Sequence, residues 1–206
     1  MTMSSADEQL IVPAVIQAEI IAHAAADWPE EVCGILAGRD GVVTGLLRSV
    51  NVAADRRLHY TVDPAVLLRQ FEFEEAGEEM IAIYHSHPLS PAYPSATDAA
   101  QATYPDAVYL ICSLQQMQAP VLRGFRLLTL PYHGCHGCHG CHGCHGCHGC
   151  HGAADDFPLR PVVGSDDLWA YQNPQPDAFY LLRSQRPGDA PRLLQVRIVE
   201  VALCSA

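Results

Sequence analysis

Residues 133–152 form an unbroken repeat of three residue types, HGCHGCHGCHGCHGCHGCHG. Glycine at every third position and the lack of large apolar side chains leave this tract too little surface to bury to offset its ordering entropy. A hydrophobic core must therefore come from the flanking segments, residues 1–132 and 153–206. We interpret the tract as an expanded coding repeat, a flexible insertion that binds soft metals loosely.

Two more specific interpretations of the tract are weaker. Cys135 to His139 matches the haem-attachment pattern C-x-x-C-H, but the pattern recurs in overlapping frames, so neighbouring sites would share cysteines. A structural zinc site needs four ligands from separated corners of the chain, which a uniform tract does not have. A metal-storage or metal-sensing role acting through the tract stays open as an alternative function.

The composition excludes several classes of function. A formal net charge of −11 argues against nucleic acid and against an anionic membrane as partners. The chain contains no lysine, which excludes Schiff-base and P-loop lysine chemistry. No apolar stretch approaches the ~18 residues of a membrane span. We therefore expect a reducing cytoplasm, where the nine cysteines need not form disulfides. The oligomeric state is left open, a homodimer included.

Periodicity and turn residues predict alternating helices and strands. Helices are expected at 9–27, at 64–78 and from Ser95 to Ala102. A short strand is expected near Tyr60, and longer strands at Val32–Gly38, Val42–Ser49, Met80–Tyr84, Ala107–Ser113, Val121–Leu130, Ala178–Arg183 and Leu193–Leu203. The pattern indicates a compact α/β domain of about 130 residues, a usual domain size.

His85 and His87 end an apolar strand run, and Pro88 follows them. Residues i and i+2 of a strand point to the same side, so both imidazoles can reach one ion. Asp98 follows at an expected helix start and would be a third ligand. Two histidines and one carboxylate leave the fourth tetrahedral position for water, the arrangement of a catalytic zinc.

A zinc hydrolase also needs a base that does not bind the metal, and Glu31 is the candidate. Ser95 could donate a hydrogen bond to the oxyanion. Taken singly, each residue has a more ordinary explanation. A His-x-His pair arises by chance, Ser95 and Asp98 suit a helix N-terminus, and Glu31 could be a solvated acid.

The combination is more specific. Glu31 before Cys33-Gly34, then His85-Ser-His-Pro88, then Ser95-Ala-Thr-Asp98, resembles the signature of the JAMM (MPN+) metalloproteases. Further segments that resemble the family are residues 29–38, 51–53, 60–64, 104–114 and 121–126. The resemblance covers about residues 9–130, with Val199–Leu203 as a further candidate strand.

The resemblance implies an α/β fold, with a mixed curved β-sheet flanked by helices and the zinc site at the end of a strand and the start of a helix. It implies one zinc ion bound by His85, His87 and Asp98, with water activated by Glu31 and the oxyanion stabilised by Ser95. We expect the JAMM core at 9–131, the His-Gly-Cys insertion at 132–152, a Pro/Asp-rich insertion of unknown fold at 153–190, and the final strand within 191–206.

The family resemblance also implies a substrate class. Similar enzymes cleave the peptide or isopeptide bond after the C-terminal Gly-Gly of a ubiquitin-like or sulfur-carrier protein. Such an extended tail suits a narrow groove that admits backbone and few side chains. The alternatives are a non-catalytic MPN scaffold and the metal-binding role of the His/Cys tract.

Overall fold

The computed structural model describes residues 9–131, 157–174, 177–183 and 192–205. The prediction for the repeat lies outside these residues. The helices are α1 (Ala14–Ala26), α2 (Pro64–Leu68), α3 (Gln70–Glu75) and α4 (Ala96–Gln101). The strands are β1 (Gln9–Ile11), β2 (Cys33–Arg39), β3 (Val42–Ser49), β4 (Glu79–His87), β5 (Val108–Ser113), β6 (Val121–Pro131), β7 (Arg160–Pro161), β8 (Leu168–Pro174), β9 (Asp177–Arg183) and β10 (Arg192–Cys204).

The chain forms two compact units, and the first contains α1 to α3, β1 to β5, most of β6 and the end of β10. Its strand order is β1-β3-β2-β4-β5-β6, with β10 beside β6. Strand β2 pairs antiparallel with β3 and β4, whereas β4 and β5 are parallel. The end of β10 also pairs in parallel with β1, so this sheet closes on itself. The α/β class and the mixed sheet expected from the sequence are confirmed.

Helix α1 packs its apolar side chains against this sheet. Pro13 has an extended conformation (φ −52°, ψ 142°) and immediately precedes the helix. Ile20 is fully buried, which contributes on the order of 2–3 kcal/mol through its apolar surface. The buried core of this unit consists of Leu10, Val12, Ile20, Ala24, Val32, Leu36, Val43, Ala82, Tyr84, Val108, Leu110, Cys112, Leu114 and Val201.

Two helix predictions need correction. The helix expected at 9–27 begins only at Ala14, because residues 9–11 form β1 and pair with β10 through hydrogen bonds that the local sequence cannot reveal. The helix expected at 64–78 is divided into α2 and α3. At the division the N–H of Arg69 donates to the carbonyl of Val66, 3.1 Å away, which is a tighter turn than an α-helix makes. The short strand near Tyr60 is reduced to one bridge, Asn51 with Val62.

The second unit contains α4, β7 to β9 and the first part of β10. Strand β9 pairs antiparallel with both β10 and β8, and β8 pairs with β7. The rings of Phe157 and Tyr180 stack with centroids 4.2 Å apart. The strands expected at Ala178–Arg183 and Leu193–Leu203 are therefore present as β9 and β10. Strand β8 was not expected from the sequence, because it lies in a Pro- and Asp-rich segment. It forms because its main chain pairs with that of β9.

No helix within the described ranges combines the length and the apolar character that crossing a membrane requires.

Candidate functional site

Strand β4 positions the two histidines. It lies between β2 and β5, with His85 opposite Cys33 on one side and Ile111 on the other. A strand paired on both sides has little freedom to twist or slip. His85 and His87 share one face of β4, and both side chains are buried. The strand ends at His87, because Pro88 has no N–H to continue the ladder.

The hydrogen bonds of His87 determine which of its nitrogens can bind a metal. Its Nδ1 lies 2.8 Å from the carbonyl oxygen of Pro91. Because a carbonyl can only accept, Nδ1 carries the proton and Nε2 keeps a lone pair. The Nε2 atoms of His85 and His87 are 3.1 Å apart. Two nitrogen ligands on a tetrahedral zinc ion, each about 2.0–2.1 Å from it, are separated by about 3.3 Å.

Asp98 completes a group of three. It lies in the first turn of α4 and is 7% exposed. The ligand atoms of His85, His87 and Asp98 all lie within 4.8 Å of one another. Two imidazoles and one carboxylate with this spacing fit a zinc ion, and they leave one position of a tetrahedron for another ligand. The three residues selected from the sequence are thus brought together.

Glu31 is held by its main chain at the entry to β2. Its N–H donates to the carbonyl of Arg56 (2.7 Å), and its carbonyl accepts from Asn51 Nδ2 (2.8 Å). Val32 exchanges hydrogen bonds with Ser86: its N–H donates to Ser86 Oγ (2.9 Å), and its carbonyl accepts from Ser86 N–H (3.0 Å). Continuing this antiparallel register sets Glu31 opposite His87. Glu31 is 8% exposed and is not a member of the three-residue group.

Ser95 directly precedes α4 and is exposed, three residues before Asp98. Cys33, in contrast, is fully buried, and burial raises the pKa of its thiol to about 12. It is therefore a neutral thiol at physiological pH and a poor metal ligand.

Two residues near the group were not singled out from the sequence. The ring of Tyr60 stacks on the imidazole of His85, with centroids 4.1 Å apart and planes at 15°. The side chain of Asn51 forms hydrogen bonds with the two neighbours of Tyr60 in the chain. Its Nδ2 donates to the carbonyl of His59, and its Oδ1 accepts from the N–H of Thr61. Both residues belong to segments that resemble the family, but no pattern in one sequence distinguishes them from ordinary loop residues.

Comparisons with known proteins agree with this arrangement. A family model described as prokaryotic homologs of the JAB domain matches residues 13–127. The desampylase of Haloferax volcanii is 46% identical over 101 residues, which cover 46% of this chain and 73% of that protein. The CysO-cysteine peptidase of Mycobacterium tuberculosis is 36% identical over 121 residues, covering 58% of this chain and 83% of the relative.

A solved structure supports the same fold. The solution structure of a protein from Desulfitobacterium hafniense matches with a TM-score of 0.52 at 34% identity, over 57% of this chain and 84% of the other. The fold, the grouped His85, His87 and Asp98, and the matched relatives all agree. The chain belongs to the prokaryotic JAB-domain (JAB/MPN) family and is a hydrolase of that family.

Proposed function

We propose that this hydrolase is a zinc-dependent peptidase or isopeptidase that cleaves the bond after the C-terminal Gly-Gly of a ubiquitin-like or sulfur-carrier protein. The observation that carries the proposal is the buried group of His85, His87 and Asp98 in a member of this family. Two relatives are named desampylase and CysO-cysteine peptidase, which supports a protein conjugate as the substrate. The buried free thiols Cys33 and Cys112 fit the reducing cytoplasm that we propose as the compartment.

His85, His87 and Asp98 would hold the metal. When bound, zinc supplies Lewis-acid polarisation of a carbonyl and lowers the pKa of water. The hydrogen bond from His87 Nδ1 to Pro91 fixes the orientation of that ring and keeps Nε2 deprotonated. Burial of all three side chains excludes bulk water and strengthens their interaction with a cation.

Glu31 acts as the general base in this proposal. Its carboxylate takes a proton from the attacking water as the water oxygen forms a bond to the scissile carbonyl carbon. The same carboxyl group then gives the proton to the leaving nitrogen as the carbon–nitrogen bond breaks. The hydroxyl of Ser95, an exposed residue, donates a hydrogen bond to the developing oxyanion.

The first experiment measures zinc per chain in protein from which residues 133–152 have been removed, so that the His-Gly-Cys tract does not contribute. The parent is expected to bind one zinc ion, and the His87→Ala variant none, because the remaining two ligands cannot hold zinc tightly. Zinc that stays bound in His87→Ala would show that the ligand assignment is wrong.

The role of Glu31 is tested by Glu31→Gln, which keeps the shape of the side chain but removes the base. Zinc content should be unchanged, and kcat on a ubiquitin-like protein with an extended Gly-Gly tail should fall by about 10²- to 10⁴-fold. The matched control is Glu30→Gln, one residue away, where the carboxylate pairs with Arg56 at 3.4 Å and is 45% exposed. Turnover retained in Glu31→Gln would remove the base assignment.

A further inference from the structure

Asn51 uses the full hydrogen-bonding capacity of its side chain. It is 7% exposed, and its amide offers two N–H donors and an oxygen with two lone pairs. Nδ2 donates to the carbonyls of Glu31 (2.8 Å) and His59 (2.9 Å). Oδ1 accepts from the N–H groups of Ala53 and Thr61, both at 3.0 Å. One side chain thus fixes the main chain at four points.

These four bonds connect two parts of the candidate site. One part is the main chain of Glu31, the proposed base. The other is the segment from His59 to Thr61, whose central residue, Tyr60, stacks on His85 at 4.1 Å. The N–H of Val52 also donates to the carbonyl of Thr61 (3.0 Å), so the segment is held by Asn51 and by the residue after it.

We propose that Asn51 is a positioning residue that holds Glu31 in register with the Tyr60–His85 stack. The inference rests on the proposed roles of Glu31 and His85. Asn51 acts through the main chain of one residue and the ring of another, so its donors set how far Glu31 lies from the metal ligands. Misplacing a catalytic group by about 1 Å can lower a rate by about 10²-fold, so loss of these bonds should affect turnover more than substrate binding.

The test compares Asn51→Asp and Asn51→Ala with Gln17→Glu. Asn51→Asp removes both donors and keeps the acceptor oxygen, while Asn51→Ala removes both functions without adding charge. Gln17 is the matched control because its Nε2 donates to the carbonyl of Val12 (2.8 Å) and to Ser205 Oγ (2.9 Å), contacts that include no site residue. Zinc affinity is measured by competition with a chelator, and kcat and KM are measured on zinc-loaded full-length protein.

Both Asn51 variants are expected to bind zinc about 10-fold more weakly, as loss of supporting contacts around a ligand typically does. Their kcat should fall about 10- to 100-fold with KM within about threefold of the parent. Gln17→Glu should match the parent in all three quantities. A zinc-loaded Asn51→Asp protein with parental kcat would overturn the proposal, and so would an equal loss in Gln17→Glu.

Tyr60 provides a second test that leaves Asn51 unchanged, which matters if the Asn51 variants fail to fold. Tyr60→Leu should weaken zinc binding, as the Asn51 variants should. Tyr60→Phe, which keeps the ring, should bind zinc with the affinity of the parent protein. Parental zinc affinity in Tyr60→Leu would contradict the positioning role of the stack. If the parent binds zinc but cleaves no Gly-Gly tail, the proposed function fails alone, and the zinc affinities of these variants still decide the role of Asn51.

Discussion

The two nitrogens of His87 have different partners, and this difference prepares the ring to act as a ligand. The Nδ1–H group of His87 donates to the carbonyl of Pro91, so the lone pair of the ring lies on Nε2, which faces His85. A histidine whose tautomer is already selected has lost part of its orientational freedom before the ion binds. The carbonyl of Pro91 is therefore part of the candidate site, because it orients the imidazole of His87.

His23 illustrates a buried histidine with a structural role. Its Nδ1 lies 2.8 Å from the hydroxyl of Tyr84. Burial, with a smaller contribution from the charge of Arg48, lowers the pKa of His23 below 6.5. The unfolded chain therefore binds a proton at a higher pH than the folded chain does. The stability from keeping His23 neutral is fully present above pH 6.5 and is lost as the pH falls toward the folded pKa.

We therefore expect the free energy of unfolding to decrease between about pH 7 and pH 5, and His23→Gln to reduce that decrease. Glutamine keeps a polar group near Tyr84 but does not titrate. Denaturant unfolding at several pH values measures the slope for both proteins. Equal slopes in the parent and in His23→Gln would mean that other groups cause the pH dependence.

At the scale of the element, α4 is a short helix whose carbonyls need partners beyond the helix itself. Arg183, at the end of β9, donates from Nη1 to the carbonyl of Ala100 at 2.9 Å. A cation near a helix C-terminus satisfies a free carbonyl and interacts favourably with the helix dipole. Because α4 carries Asp98, a strand far along the chain supports the helix that presents a candidate ligand.

Arg183→Ala should destabilise the second unit by about 1–2 kcal/mol, near the low end of the range for a hydrogen bond to a charged group because the contact is only partly buried. Arg197→Ala is the control, since Arg197 is exposed on the neighbouring β10. Hydrogen exchange of the α4 amides, measured by mass spectrometry, should be faster in Arg183→Ala only. Faster exchange of α4 in both variants would indicate a general effect of losing charge.

At the scale of the whole molecule, the family match and the His-Gly-Cys tract occupy different parts of the chain. The match ends at residue 127, and the tract begins at residue 133. The three grouped ligands all lie within the matched part. The chemistry proposed for the enzyme therefore requires no residue of the tract.

Deleting residues 133–152 should leave one high-affinity zinc ion per chain and change kcat/KM by less than about threefold, since the residues proposed for catalysis remain. The measurement is zinc content together with cleavage of a Gly-Gly tail, and full-length protein is the reference. If the deletion abolished both, a metal-binding function of the tract would replace the present proposal.

The sequence allowed much of the fold and the ligand group to be predicted. His85, His87 and Asp98 were identifiable because strand periodicity and a specific motif both point to them, and the structure groups their ligand atoms. Helix α1 was placed correctly except at its start, where residues 9–11 join β10. That error arises because pairing with a strand nearly two hundred residues away overrides local propensity. The insertion boundaries and the roles of Glu31 and Ser95 stay predictions.

By itself, the sequence determined the order of most strands and helices, the family, and which side chains could bind a metal. These depend on local periodicity and on residue identity, which are present in the chain before it folds. Only the tertiary structure determined the stacking of Tyr60 on His85, the four bonds of Asn51 and the support of α4 by Arg183. Such contacts join residues distant in sequence, and their geometry exists only when the strands between them are paired.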